Sequence, residues 1–348
     1  MNRAFHLSVA VPIHNEAKVL PELFRRLTAT LDNLEGGPHQ MLFVDDGSSD
    51  GSAQILEDAA HRDARVTVIS LSRNFGHQAA LTAALDHVSG DAVVLMDGDL
   101  QDVPESIPLL VEQYRLGYDV VYAVRASRRE GLPLRLCYSL FYRLQSLLSD
   151  TRLPLDAGDF GLMSRRVVEQ LRQMPEHHRY LRGLRSWVGF RQLGVPIERA
   201  ERHAGTSKYS VLKLIKLAAD GIFAFSTWPL RAATMLGATA VAASALFSAY
   251  SLYAKLFLKQ SPQGFTALIL LITFLAGILL FFMGIIGEYV GRVYEEIKAR
   301  PLYVINKITD YTGLSLEAEV GAHKRLWTRT PGELRQDQLN RSAVLGER

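Results

Sequence analysis

A chain of 348 residues with 39 Lys and Arg against 36 Asp and Glu, a formal charge of +3, lacks the charge excess that would mark a nucleic-acid binder. Its single cysteine, Cys137, excludes an internal disulfide and fits a reducing compartment. The 48% apolar content looks ordinary, but the average hides a split. Charges are spread normally to about residue 228, are absent from 232–254 and 260–287, and return after Glu288.

The N-terminus reaches polar residues by His14 without a long apolar segment. No cleaved signal peptide is expected, and the first domain is expected to stay on the side where it is made. LSVAVPI at 7–13 predicts a buried strand. Leu20, Leu23, Phe24, Leu27 and Leu31 predict a helix between Glu16 and Leu34. MLFVDDG at 41–47 is a second strand, Ser52 to Ala60 a helix, and VTVISL at 66–71 a third strand. Gln78 to His87 is helical, and AVVLMDGD at 92–99 is a fourth strand ending in carboxylates. Such alternation predicts an α/β domain with a mainly parallel sheet and helices on both faces.

Ligands of such sheets bind beyond the carboxyl ends of the strands. Three polar clusters fall there: His14-Asn15-Glu16, Asp45-Asp46-Gly47 and Asp97-Gly98-Asp99. Asp97 and Asp99 suit Mg2+ or Mn2+, which favour carboxylates together with substrate phosphates. Gly98 lets the backbone turn tightly and leaves room for a ligand. Asp45 and Asp46 can accept hydrogen bonds from a nucleotide's base and ribose, while Ser49 or Asp50 can cap the next helix. Glu16 either contacts the nucleotide or caps the first helix.

The two apolar runs each exceed the roughly 20 residues that a bilayer-spanning helix needs. The connection around 256–264 is too short for a domain, so the pair predicts a helical hairpin. Lys208, Lys213, Lys216 and Arg231 before it, and Arg292, Lys298 and Arg300 after it, place both termini in the cytoplasm. Residues 132–148 and 208–228 are amphipathic. Each either lies in the membrane interface or packs on the domain, and the basic residues of 208–228 next to the first span favour the interface. Arg199, Arg202, His203 and Lys208 sit just before that segment, where they would meet a lipid phosphate. Gly284, Gly287 and Gly291 allow close helix contact and hence a homo-oligomer.

Taken together, VPIHNE, VDDGSSDGS, RNFGHQAAL and MDGDLQDVPE resemble the family 2 glycosyltransferases, whose fold is the Rossmann-like GT-A fold. LDAGDFGLMSRR, YLRGLRSWVGFRQ and ERHAGTSKYS followed by two spans are similar to the polyprenyl-phosphate glycosyltransferases, especially the bactoprenol (undecaprenyl-phosphate) glucosyltransferase branch, with dolichol-phosphate mannose synthase a more distant relative. The resemblance covers residues 7 to about 305.

It implies that Pro12, Asn15, Glu16, Asp45, Asp46 and Asp97 bind the nucleotide, that Asp97 and Asp99 hold the metal, and that Gln101 and Asp102 lie beside the sugar. Asp156 and Asp159 would be the catalytic acids, and Arg199, Arg202, Ser207 and Lys208 would bind phosphate. Gly161 stands where relatives often have an arginine, for which Arg165 or Arg185 would have to substitute.

The implied reaction is inverting transfer of a hexose from a UDP-sugar, most naturally UDP-glucose, to undecaprenyl phosphate for envelope glycan or lipopolysaccharide modification. UDP-GlcNAc, UDP-GalNAc and a modified arabinose remain open as donors. The expected organisation is a cytoplasmic catalytic domain over 1–207, an interfacial helix over 208–228, two spans within 229–290 (about 232–254 and 265–287) and a cytoplasmic tail over 291–348, all at the inner membrane. A processive synthase would need more spans. A nucleotidyltransferase would carry a Gly-rich basic loop where this chain has His14-Asn15-Glu16. A non-catalytic scaffold or flippase partner leaves the strand-end acids unexplained.

Overall fold

The computed structural model describes residues 4–125, 157–177, 179–198, 228–257, 264–312 and 316–317. Four parallel strands form its centre: β1 (Leu7–Ile13), β2 (Gln40–Asp45), β3 (Val66–Leu71) and β4 (Ala92–Leu95), in the order β4-β1-β2-β3. All seven residues of β1 are buried, as a strand covered on both faces requires. Its side chains alternate between two cores. Leu7, Val9, Val11 and Ile13 face one layer with Met41, Phe43, Val66 and Val94, and Ala10 faces the other with Leu42, Val44, Ile69 and Val93.

Helices α1 (Leu20–Asp32) and α2 (Ser52–Arg62) cover the first face, and α3 (His77–His87) covers the second. The heptad-like leucines of α1, Leu20, Leu23, Leu27 and Leu31, are buried, and Pro21 sits in its first turn, where a missing N–H costs nothing. A 3₁₀ turn over Pro104–Ser106 leads into α4 (Ile107–Arg115).

The sheet has nine strands, in the order β7-β5-β6-β4-β1-β2-β3-β8-β9. Strand β5 (Val120–Arg125) is separated from β4 by β6 (Ala157–Ser164), which runs antiparallel to both. Helices α5 (Arg165–Gln173) and α6 (Leu181–Trp187) follow, and β7 (Gln192–Ile197) pairs in parallel with β5. Because β6 is reversed, its amino end lies at the edge where the parallel strands finish.

Two long helices come next, α7 (Trp228–Phe257) and α8 (Phe265–Lys298), and they touch one another. By length and composition, Phe274–Lys298 is long and apolar enough to cross a membrane, while the apolar stretch described in α7 is the shorter Ala232–Phe247. Large apolar side chains on both are bare, among them Val241, Leu246, Leu279 and Leu280, each 68% exposed or more. A Cβ added to Gly284, Gly287 or Gly291 would meet nothing within 4 Å.

The chain then returns to the sheet. β8 (Ile305–Thr309) pairs antiparallel with β3, and β9 (Leu316–Glu317) with β8. Within the stretch 291–348, expected as a C-terminal tail, Ile305–Thr309 and Leu316–Glu317 join the sheet. The junction is fastened by polar contacts. Glu296 on α8 accepts the His177 backbone N–H at 3.0–3.1 Å, and Lys307 pairs with Glu57 at 3.0 Å. Tyr303 is 7% exposed, packs in the second core and donates to Asp86 at 2.7 Å.

Deleting the Tyr303 ring should therefore loosen the whole second layer. Tyr303→Ala is expected to cost about 2–4 kcal/mol, and Tyr303→Phe, which removes only the hydrogen bond, about 1 kcal/mol. Chemical denaturation of the detergent-solubilised protein measures both.

Candidate active site

Loops at one edge of the sheet bring five segments together: those after β1, β2, β3 and β4, and the amino end of β6. After β1, Asn15 adopts a left-handed backbone with φ 58°. It knits into the β2 loop: its N–H donates to Ser48 Oγ at 3.0 Å, and its side-chain oxygen accepts the Ser49 N–H at 2.8 Å. The Glu16 N–H donates to Ser52 Oγ, and its carbonyl accepts the N–H groups of Val19 and Leu20. Helix α1 starts at Leu20 without a side-chain cap, so the backbone of Glu16 rather than a capping carboxylate leads the chain into it.

Asp45 accepts the Ser48 N–H at 3.2 Å. Asp50 accepts the Ser52 N–H and hydroxyl and the Ala17 N–H, tying α2 to the β1 loop, although the N-cap position itself is Gly51. Asp46 is buried, and its two oxygens accept the N–H groups of Phe75 at 2.7 Å and Gly76 at 2.9 Å. Asp46 therefore positions the loop that follows β3. Gly47 makes that approach possible: its φ is 64°, and a Cβ would lie 2.6 Å from the backbone of Arg73 and Asn74.

After β4, Asp97 and Asp99 flank Gly98, and the glycine is needed for a different reason from the tight turn expected. A Cβ on Gly98 would stand 2.4 Å from the Ile13 side chain and 3.3 Å from the Pro12 carbonyl, so the acidic loop presses directly on β1. The left-handed residue is Leu100, at φ 58° with its side chain buried. Asp99 accepts the Gln101 N–H at 3.1 Å, and Asp102 is buried in the same loop.

The reversed strand β6 brings Asp159 to these acids. Arg182 on α6 grips it with two bonds, Nε and Nη2 each 2.7 Å from a carboxylate oxygen. His77 Nε2 stands 3.6 Å from Asp97 and 3.7 Å from Asp159, close charge contacts beyond hydrogen-bond range. The neighbouring Gln78 accepts the Leu181 N–H at 3.0 Å and so fixes α6 beside α3. Neither His77 nor Arg182 was singled out by sequence reasoning. Both lay inside motifs quoted whole, RNFGHQAAL and YLRGLRSWVGFRQ.

The two acids are driven in opposite directions. Burial, then repulsion from Asp102, Asp159 and Asp99, pushes the Asp97 carboxyl up to about 6, against the pull of His77. Burial pushes Asp159 up as well, but the hydrogen bonds from Arg182 and the contact with His77 more than offset it and hold the group far below the usual carboxylate range. For His77, burial lowers the pKa, and Asp159 and Asp97 outweigh it to raise the imidazole above its ordinary value.

Of the two arginines weighed as stand-ins for the missing side chain at Gly161, one lies beside the site and one away from it. Arg165 bonds Glu169 and the Val88 carbonyl, away from the strand-end loops. Arg185 is buried, donates to the Gly158 carbonyl at 3.2 Å and covers the Tyr122 ring, and burial lowers it to about 10. Gly161 itself has no room for a side chain, because a Cβ would lie 2.6 Å from the Val121 carbonyl. Asp156, Arg199, Arg202, Ser207 and Lys208, and the amphipathic stretches 132–148 and 208–228, lie outside the described residues.

Asp97 and Asp99 suit a divalent ion in charge and ligand type, and the upward-driven Asp97 marks a cleft whose negative potential a cation would relieve. Among the described residues, no three His, Cys, Asp or Glu side chains gather into a complete ligand set. A bound ion would draw its other ligands from a substrate or water.

Residues 8–172 match the family described as glycosyl transferase family 2. The chain is 42% identical over 308 residues to an uncharacterized glycosyltransferase of Bacillus subtilis, covering 88% of this chain and 95% of that one. It is 40% identical over 302 residues to a prophage-derived bactoprenol glucosyl transferase of Shigella flexneri, covering 86% of this chain and 97% of the other. A prophage bactoprenol glucosyl transferase homolog of Escherichia coli is 38% identical, with 87% and 99% covered. Among solved structures, a mannosyltransferase from Pyrobaculum calidifontis in complex with GDP-Man and Mn2+ aligns over 86% of both chains at 18% identity, with a TM-score of 0.42.

The raised Asp97 makes a stability prediction with a definite sign. Its folded pKa lies above the unfolded value, so the penalty is absent below about pH 4, grows as pH rises to about 6, and is constant above that. At pH 7.5 and without metal, Asp97→Asn should stabilise the fold by up to about 3 kcal/mol, roughly 6–12 °C in Tm, and the gain should vanish near pH 4. The same variant should lose Mn2+ binding. Thermal scans at the two pH values, with and without Mn2+, check all three outcomes.

Proposed function

The chain belongs to glycosyl transferase family 2, and from that membership we propose that it moves glucose from UDP-glucose to bactoprenol phosphate at a membrane surface. It is a glycosyltransferase. The observation that carries the choice of substrates is the 40% identity extending over 97% of a bactoprenol glucosyl transferase. The product is a lipid-linked monosaccharide for envelope glycan or lipopolysaccharide modification.

The polar cluster at the sheet edge supports this chemistry residue by residue. Asn15, Glu16 and Asp45, with Pro12 beneath them, form the nucleotide side of the cleft, while Asp46 holds the loop of Asn74 to His77 in place. Gln101 and Asp102 lie on the sugar side. Asp97 and Asp99 would hold Mg2+ or Mn2+. When bound, the ion supplies charge neutralisation for the departing diphosphate.

Asp159 is ionised and bonded to Arg182 through both oxygens, so it is a poor proton acceptor at neutral pH. The acceptor hardly needs one. A phosphate monoester has its second pKa near 6 and is already largely anionic. Its oxygen can attack the anomeric carbon directly, with inversion, while Asp159 orients the sugar and faces the positive charge that develops on its ring.

The membrane part follows from bare apolar surface. Side chains such as Met235, Val241, Leu246 and Leu280 are at least 70% exposed, an arrangement that water disfavours and lipid tails accept. We read α7 and α8 as a hairpin of two spans, about 232–254 and 265–287. Its return is supported by the contact of α8 with His177 and by β8 lying in the sheet only seven residues beyond Lys298. The catalytic domain then lies on the cytoplasmic side of the inner membrane, where UDP-sugars are available.

The deciding experiment incubates membranes containing the chain with labelled UDP-sugars, bactoprenol phosphate and Mg2+ or Mn2+. Labelled lipid is expected from UDP-glucose and should disappear with chelator. Label only from UDP-GlcNAc or UDP-GalNAc would overturn the choice of glucose, and no labelled lipid from any donor would overturn the reaction. Asp159→Asn should reduce turnover by about 100-fold or more, as loss of a charge facing the transition state does, with no recovery between pH 6.5 and 9. Recovery on raising the pH would instead identify Asp159 as a general base.

A further inference from the structure

We propose that Arg182 is itself a phosphate ligand of this cleft, holding Asp159 with one edge of its guanidinium and a phosphoryl oxygen of a reactant with the other. The inference rests on the transfer reaction above and adds to it a residue that no motif assigned to phosphate.

A guanidinium carries five N–H donors in a fixed plane. Asp159 engages Nε and Nη2 at 2.7 Å each, which leaves the Nη1 edge and one further N–H outside the pair. The Arg182 side chain is 35% exposed while the Asp159 side chain is 9% exposed, so the charged fork reaches from a buried carboxylate towards solvent. The acid cleft lies beside it: His77 stands within 3.7 Å of both Asp159 and Asp97, and the Asp97 charge also acts on Arg182.

Gly161 cannot take a side chain, Arg185 is buried against the Gly158 carbonyl and Tyr122, and Arg165 serves the Val88 carbonyl. Arg182 offers its remaining donors in a preset orientation. Its plane is held by two bonds to Asp159 and its backbone by the Gln78 bond to Leu181, so little rotamer freedom remains to be lost on binding.

The phosphate has two sources, the lipid monophosphate of the acceptor and the diphosphate of the donor, and one set of variants distinguishes them. Arg182→Gln removes charge and fork, and Arg182→Lys keeps a charge beside Asp159 but loses the fork. Transfer kinetics with UDP-glucose and bactoprenol phosphate give the two KM values and kcat. The rise in Tm with UDP plus Mn2+, and separately with bactoprenol phosphate, gives affinities without turnover.

One ligand should bind about 10- to 100-fold more weakly to Arg182→Gln, with a smaller loss for Arg182→Lys, while the other changes by less than about 3-fold. Weaker bactoprenol phosphate assigns Arg182 to the acceptor, and weaker UDP assigns it to the donor diphosphate. Unchanged affinity for both, with only kcat or Tm lowered, overturns the proposal and leaves Arg182 a brace for Asp159. Equal loss of both, the sign of a collapsed cleft, overturns it too. A wild-type chain that binds both ligands but transfers no glucose sinks the choice of sugar and leaves the binding result standing.

Discussion

The crowding of carboxylates at one edge of the sheet is the constraint on which this structure turns. Asp97, Asp99 and Asp102 in the loop after β4 meet Asp159 at the amino end of β6, and like charges so placed oppose one another's ionisation. The fold resolves the conflict unequally. Asp159 receives a whole guanidinium and is fixed as an anion, while burial and its acidic neighbours push the Asp97 carboxyl up to about 6 with His77 at its flank. Two roles thus come from one residue type by environment alone.

What the sequence revealed follows from where its information is local. Strands 7–13 and 66–71 coincide with the observed β1 and β3, because a strand buried on both faces must be a continuous apolar run. Helix starts were less visible: α1 begins at Leu20 rather than Glu16, since the intervening turn is held by contacts from the distant β2 loop. Strands β5, β6 and β7 were not drawn as a sheet. The reversed β6 is inserted between β4 and β5 by pairing across long stretches of chain, which periodicity does not record. β8, with the sequence INKIT, is a short alternating strand near the sheet margin and carries no comparable apolar signal.

The site shows the same division. The acids at 45, 46, 97 and 99 were placed at strand ends because strand ends can be counted along the chain. His77 and Arg182 were not, because their meaning lies in reaching Asp159 from two other elements. A signal existed: a histidine at the start of α3 and an arginine in the first turn of α6 lie on the elements that flank the acidic strand ends. Gly98 and Gly161 teach the converse lesson. Gly98 was expected to allow a tight turn and Gly161 to stand in place of an arginine, and both prove to be enforced closeness, one to Ile13 and the other to Val121.

The position of β8 also bears on how the protein is made. Strand β3 is synthesised early, yet one of its two neighbours comes after both long helices, so its edge has no native partner until Thr309 has left the ribosome. An unpaired strand edge invites misassociation. Completion of the sheet is therefore a late event in synthesis, and the two long helices must be made before the last strands can close it.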